Sequence, residues 1–374
     1  MLIAEYGRMG GTRTYFKQLV GFYLRQHCVL NVVRLGPTRD PEMDDFLRSH
    51  MVRFVDVAEV SKRAGCMPGG HSLGLLSRRD LREEASDLLR FAQRQRTDLV
   101  VASAGTPGKF LGAVGAAPVG LYFLHTYPHG PRASLFGTLV MPDALPKSAL
   151  LIAVSSYARD RTLTSWRLGS RSRDVRFLYS TAGPRAPRTR RGNEVPLVLT
   201  VGHVEPYKGP FDWIEIAKNV VSQRGLQATR FVWAGEGSLL EPCRRRVEKL
   251  GLEDRVHFVG RVNDVAPLYE DCTIYLQPSR TESLGLGVLD ASRRGIPAVV
   301  TDAGGLPEVV STGVSGVVYR GNRMEEGAGA VMNLLYDASR RESMGTAALS
   351  WYATRFSPEL WEENLLALNR WPGS

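Results

Sequence analysis

The feature that most constrains this chain is an alternation running through nearly all of it. Apolar runs of four to seven residues are separated by longer stretches with helical spacing. In the first half the runs fall at 2–6, 29–35, 98–103, 120–124, 150–155 and 175–178, with helical patterns such as 14–26 and 80–94 between them. In the second half they fall at 197–201, 230–234, 256–259, 273–277, 298–301 and 316–319. A strand that is followed by a helix and then by another strand has been carried back to start beside the first, so this pattern predicts parallel sheets with helices on both faces. The expected fold class is α/β, with two doubly wound units in tandem.

A length of 374 residues accommodates two ordinary domains, and 43% hydrophobic with 23% charged residues is a globular composition. The boundary is expected where residues 180–193 combine two prolines, two glycines and four arginines with no apolar periodicity. The domains are therefore read as 1–182, a linker at 183–195, a second domain at 196–356 and a helical tail at 357–374. Charge divides near the same point. Residues 1–200 hold 29 Lys+Arg against 16 Asp+Glu, a net +13, whereas residues 201–374 hold 19 against 22, a net −3. A basic half attracts acidic substrates or an anionic membrane surface. Basic residues interleaved with aromatic ones are missing, so nucleic acid is not an expected partner.

Cys28, Cys66, Cys243 and Cys272 are scattered without a C-x-x-C pair, which points to a reduced, cytoplasmic chain without a zinc site. The most apolar region, 99–124, is broken by Pro107, Lys109 and Pro118, so it lacks the roughly 20 clean residues of a membrane span.

Two doubly wound domains facing each other would line one cleft with the loops that follow their strands. The loop after 273–277 reads PSRTESLGLGVLD and ends in a predicted helix starting near 284–285. A helix start offers unpaired N–H groups for phosphate, and Gly285 and Gly287 leave room for a ligand near the backbone. Glu282 and Asp290 lie roughly 12 Å apart along such a helix, a separation that suits a long polar ligand better than a paired acid and base. A capping Glu282 with a solvated Asp290 is the plainer alternative. After 197–201 the chain places His203 and Lys208 in a Pro/Gly turn, where the lysine either neutralises a diphosphate or is an ordinary surface residue.

Taken in order, VGHVEPYKG (201–209), WAGEGSLL (233–240), the run 256–291 around PSRTESLGLGVLDA, GIPAVVTDAGGLPEVV (295–310) and SGVVY (315–319) resemble glycosyltransferase family 4. That is a large family of retaining glycosyltransferases with the GT-B fold, in which two Rossmann-like domains face a central cleft. The resemblance spans the whole second domain. It implies that Lys208 contacts the donor diphosphate and that Glu282, first of the E-x7-E pair, contacts the transferred sugar. It further implies that the amides of Ser283, Leu284, Gly285 and Leu286 meet sugar and diphosphate, while Val262 lines the base. Gly10 and Gly11 resemble the family's glycine loop near the donor phosphates, and His125 stands where many members place a histidine near the sugar; a structural histidine is the alternative there. The tail from 358 resembles the helix that returns to the first domain. Three positions depart from the pattern: Asp290 replaces the second glutamate, His203 replaces a common arginine, and 180–183 replaces an Asn-Gly turn.

The expectation is thus a retaining transferase that moves a hexose-type sugar from a UDP- or GDP-sugar. The acceptor, a glycan, a lipid-linked molecule or a small molecule, would be held mainly by the basic first domain. With no D-x-D motif, neither a metal nor another cofactor is expected, and Lys208, His203 and backbone amides would stabilise the leaving group. The scattered cysteines imply a cytoplasmic location, and the basic first half suits peripheral attachment to the inner membrane face. Two alternatives stand: a sugar-nucleotide-binding protein without transferase activity, and a GT-B relative such as an epimerase or phosphorylase.

Overall fold

A computed structural model of the chain describes residues 2–5, 11–35, 40–56, 90–104, 114–115, 117–128, 145–186 and 195–370. These residues form two compact units, one of Met1–Tyr179 with Glu362–Ser374 and the other of Ser180–Trp361.

The first unit is built on β1 (Leu2–Glu5), β2 (Asn31–Leu35), β3 (Arg53–Asp56), β4 (Leu99–Ala104), β5 (Val119–Leu124), β6 (Ala149–Ala153) and β7 (Val175–Phe177). They pair in the order β3-β2-β1-β4-β5-β6-β7, every pair parallel. The sequence pattern missed β3 because Arg53 is exposed and Phe54 and Val55 are only half-buried at the sheet edge. Helices α1 (Gly11–Arg25), α2 (Pro41–Ser49) and α3 (Ser156–Ser165) belong to this unit, and residues 90–94 are also helical. Of the helix expected at 80–94, only those last five residues lie among the described ones.

The second unit repeats the plan with β8 (Leu197–Val201), β9 (Arg230–Ala234), β10 (Val256–Gly260), β11 (Ile274–Gln277), β12 (Ala298–Thr301) and β13 (Gly316–Tyr319). Its parallel order is β10-β9-β8-β11-β12-β13. The connecting helices are α4 (Pro210–Val221), α5 (Leu240–Lys249), α6 (Ala266–Asp271), α7 (Leu286–Ser292), α8 (Leu306–Val309), α9 (Met324–Tyr336) and α10 (Ala338–Arg355). Helix α4 shows why these segments dock. Pro210 opens it, and Trp213, Ile214, Ile216, Ala217 and Val220 recur at helical spacing and are buried. Trp213 meets Trp233 of β9 edge-on, with ring centroids 5.5 Å apart, a favoured aromatic geometry at the centre of the core.

The last helix, α11 (Pro358–Asn369), follows the second unit in sequence, yet from Glu362 onward it clusters with the first. There Glu362 pairs with Arg25 at 2.5 Å and the Tyr23 hydroxyl donates to Asn369 Oδ1 at 3.0 Å.

Candidate functional site

In a sheet ordered as these are, the crossovers leave the two central strands in opposite directions, opening a crevice beyond their carboxyl ends. In the second unit those strands are β8 and β11. The loops that follow them, 202–209 and 278–285, carry the residues singled out in the sequence.

Backbone contacts lock these loops together. Gly209 adopts φ +68°, and a Cβ there would stand 2.2 Å from the Pro278 carbonyl oxygen, so only glycine lets the loops touch. The Tyr207 carbonyl accepts from the amides of Arg280 at 2.8 Å and Thr281 at 3.3 Å. From the loop after β12, Thr301 Oγ1 donates to the Ser279 carbonyl at 2.6 Å and the Gly305 amide to the Glu282 carbonyl at 3.0 Å. Gly304, at φ +61°, approaches so closely that a Cβ would lie 1.8 Å from the Glu282 oxygen. Three loops from distant parts of the sequence thus fix one backbone, that of Glu282.

On this frame Lys208 and Glu282, 74 residues apart, form an ion pair, each side chain 14% exposed. The pair is therefore mostly sheltered from solvent. Beside it, Tyr207 Oη lies 3.4 Å from His203 Nδ1. Burial raises the Tyr207 phenol above its usual range, and Glu282 and Glu205 push the same way while Lys208 opposes them.

Behind Glu282 runs a row of buried polar groups. The Val201 amide donates to Tyr275 Oη at 3.1 Å, Tyr275 Oη to Gln277 Oε1 at 3.2 Å, and Gln277 Nε2 to Ser279 Oγ at 2.6 Å. Ser279 Oγ stands 3.5 Å from Glu282 Oε2, the oxygen that Lys208 holds. Tyr275, Gln277 and Ser279 are all at most 2% exposed. Burial drives the Tyr275 phenol far up, with Glu282 and Asp290 both adding to the effect, so it is a fixed neutral hydroxyl. Sequence reasoning passed over this row. Its signal was present in the period-two spacing of 275, 277 and 279, which puts three polar residues on one face at the end of an apolar strand.

Asp290 lies in α7 with its Oδ1 accepting from Arg293 Nε at 2.5 Å and from Arg294. Arg293 also donates to the Pro184 carbonyl at 2.9 Å. A ribose hydroxyl at this carboxylate would share it with two guanidinium groups. The reading of a merely solvated Asp290 is corrected here, because the side chain is engaged and 21% exposed.

The two glycines expected to admit a ligand serve packing instead. A Cβ on Gly287 would lie 2.0 Å from Tyr275 Oη, and one on Gly285, at φ +108°, would lie 2.8 Å from Leu306 Cδ2. Ser283 and Leu284 precede α7 and Leu286 is its first residue; Leu284 is buried. Val262 is half-buried just beyond β10, where the Gly260 carbonyl accepts from the Gly235 amide at 2.8 Å.

In the first unit Gly11 is the exposed first residue of α1, and Gly10 lies outside the described residues. His125 follows β5. Its Nε2 is 2.8 Å from Ser103 Oγ, and its ring meets the edge of Tyr15 with centroids 5.0 Å apart. Burial pushes the imidazole down to about 4, so it is neutral near pH 7. Among the described residues no group of three or more His, Cys, Asp or Glu side chains is placed to hold a metal ion. No described helix is long and apolar enough to cross a membrane.

Two units, each a parallel sheet with helices between its strands, are the plan of the GT-B fold, and the second carries a cation and a carboxylate at its switch point. Residues 186–351 match the family Glycosyl transferases group 1. The curated relatives include the GDP-mannose-dependent alpha-(1-6)-phosphatidylinositol monomannoside mannosyltransferase of Mycobacterium tuberculosis, 30% identical over 175 residues, 44% of this chain and 45% of that protein. The alpha-D-kanosaminyltransferase of Streptomyces kanamyceticus is 31% identical over 230 residues, 57% of this chain and 58% of that one. The chain thus spans about half the length of the curated relatives it matches. Among solved structures, Anabaena HepE in complex with UDP and glucose superposes with a TM-score of 0.77 at 18% identity, covering 98% of this chain and 97% of the other. A mutant form of Staphylococcus aureus TarM with UDP bound gives 0.77 at 12% identity and covers 99% of both. At such identities the likeness is one of fold.

Proposed function

We propose that this chain is a retaining glycosyltransferase that moves a sugar from a UDP- or GDP-sugar to an acceptor in glycan, glycolipid or natural-product synthesis. The observation that carries this reading is the Lys208–Glu282 pair, held by three interlocked loops at the switch point of a unit that matches the transferase family. Without ligand the lysine is neutralised by the glutamate. An arriving diphosphate, with more charge than one carboxylate, competes for Lys208 and frees Glu282 to accept hydroxyl hydrogen bonds from the sugar. As the bond from the anomeric carbon to the diphosphate oxygen breaks, the acceptor hydroxyl adds to the oxocarbenium-like sugar from the same face and gives its proton to the departing diphosphate, whose growing negative charge Lys208 and the amides of 283–286 stabilise. His125, being neutral, would serve as a hydrogen-bonding group toward the sugar rather than as a cation. Relatives that use GDP-mannose, and a fold neighbour that binds UDP, support keeping both bases in view.

The finer proposals are that catalysis needs no metal, since the cation at the diphosphate is a side chain, and that the basic first half favours an anionic or membrane-surface acceptor at the cytoplasmic face. Incubation with a panel of labelled UDP- and GDP-sugars and acceptor extracts tests the main reading. One donor should be turned over by the parent protein, with activity retained in excess chelator. Tight nucleotide binding with no turnover in any acceptor extract would favour a sugar-nucleotide-binding protein, and loss on chelation restored by magnesium or manganese would overturn metal independence.

A further inference from the structure

The buried row behind Glu282 has a direction. Gln277 Nε2 donates to Ser279 Oγ, 2.6 Å away, while its Oε1 faces the Tyr275 hydroxyl at 3.2 Å, a hydroxyl that also lies 3.1 Å from the Val201 carbonyl. Accepting from Gln277 leaves the Ser279 hydroxyl proton available to Glu282 Oε2, 3.5 Å away. That gap is longer than an effective O–H···O bond, and the oxygen it faces is the one already held by Lys208. The arrangement is a donor held in reserve beside a carboxylate that has another partner.

From this geometry we propose that Gln277 and Ser279 are positioning residues that take over Glu282 when Lys208 moves to an anionic ligand. The proposal rests on the nucleotide-sugar reading above. Once the lysine leaves, Glu282 would otherwise lose its charged partner and swing among rotamers while it must hold sugar hydroxyls. The serine hydroxyl closes to an ordinary hydrogen bond and keeps the carboxylate in place. Gln277 touches neither ligand nor carboxylate; it works by orienting the serine, and Thr301 and Gly305 hold the backbone against which the movement occurs.

The test uses the full chain, with UDP and GDP as probes for binding and the working donor for turnover. Ser279→Ala and Gln277→Met should bind the nucleotide within about twofold of the parent yet lose kcat by roughly ten- to a hundredfold, with KM little changed, because the lost bond is one made to a charged group. Gln277→Glu reverses the polarity of the row, drawing the serine proton away from Glu282, and should lose at least as much kcat as Gln277→Met. Crystals grown with and without the nucleotide should show the Ser279–Glu282 separation fall below about 3 Å when ligand is bound. A parent kcat in Ser279→Ala, or nucleotide affinity and melting temperature falling in step with rate, overturns the handover and leaves the nucleotide-sugar reading standing. A Lys208–Glu282 ion pair that stays intact in the nucleotide complex also overturns it. If the parent binds neither UDP nor GDP, the nucleotide-sugar reading itself fails, and the handover with it.

Discussion

At the scale of single residues, Asp290 separates two kinds of role. Its carboxylate partners Arg294, whose side chain is 7% exposed, so Asp290→Ala leaves a nearly buried guanidinium without its anion. The variant should lose about 1–3 kcal/mol of stability, measurable by urea denaturation, whether or not ribose is bound there. Nucleotide calorimetry on the same variant then decides the ribose contact: parent affinity despite lost stability would make the aspartate purely structural. Glu282→Gln keeps the shape of the side chain but gives up the charge that holds Lys208. It should cut turnover more than nucleotide affinity, and equal losses in both would move Glu282 from the reacting sugar to the diphosphate. His125 gives a pH signature. Its imidazole is held down to about 4 against an ordinary 6.5, so the unfolded chain takes up a proton before the folded one does. The stability tied to neutral His125 is complete above about pH 6.5 and drains away as pH falls toward 4. Denaturation midpoints at pH 7 and 4.5 should diverge more for the parent than for His125→Gln, and parallel behaviour would mean a solvated imidazole.

Secondary-structure elements were legible to the degree that burial made their sequences uniform. Strands such as β6, buried along its whole length, and β11 are apolar runs that sequence periodicity finds directly. The edge strand β3 escaped because one of its sides faces solvent. Lys208 and Glu282 could be read as candidates from their place after strands, but not the purpose of the glycines around them, since that depends on what packs nearby. Gly287 looks like a ligand-access position and is instead filled by Tyr275. The Asp290 partners were equally hidden, because arginines three and four residues onward on a helix read as surface charge until the turn is built. The glycine turn before α8 offers a contrast. Gly304→Ala must both strain φ +61° and strike the Glu282 carbonyl, whereas Gly313→Ala strains φ +79° with open space around it. Gly313→Ala should cost about 1–2 kcal/mol; Gly304→Ala should cost more and abolish turnover, which thermal melts paired with rate measurements will register.

For the molecule as a whole, charge and connectivity matter most. With +13 in residues 1–200 and −3 beyond, attraction to anionic surfaces should be strong at low ionic strength and screened at high. Co-sedimentation with phosphatidylserine vesicles should therefore vanish as salt rises, and failure to sediment even at low salt would point to an acceptor away from membranes. Connectivity bears on how the protein is made. Helix α11 supplies the first unit with the buried Leu365 and with the partners of Tyr23 and Arg25, yet the ribosome delivers it only after the entire second unit. The first unit therefore waits, with part of its interior uncovered, for residues that emerge only after the second unit, whose own residues run to Trp361. Nascent chains stalled before α11 should resist protease in the second unit and remain susceptible in the first, which makes the earlier half of the chain the one that leans on chaperones.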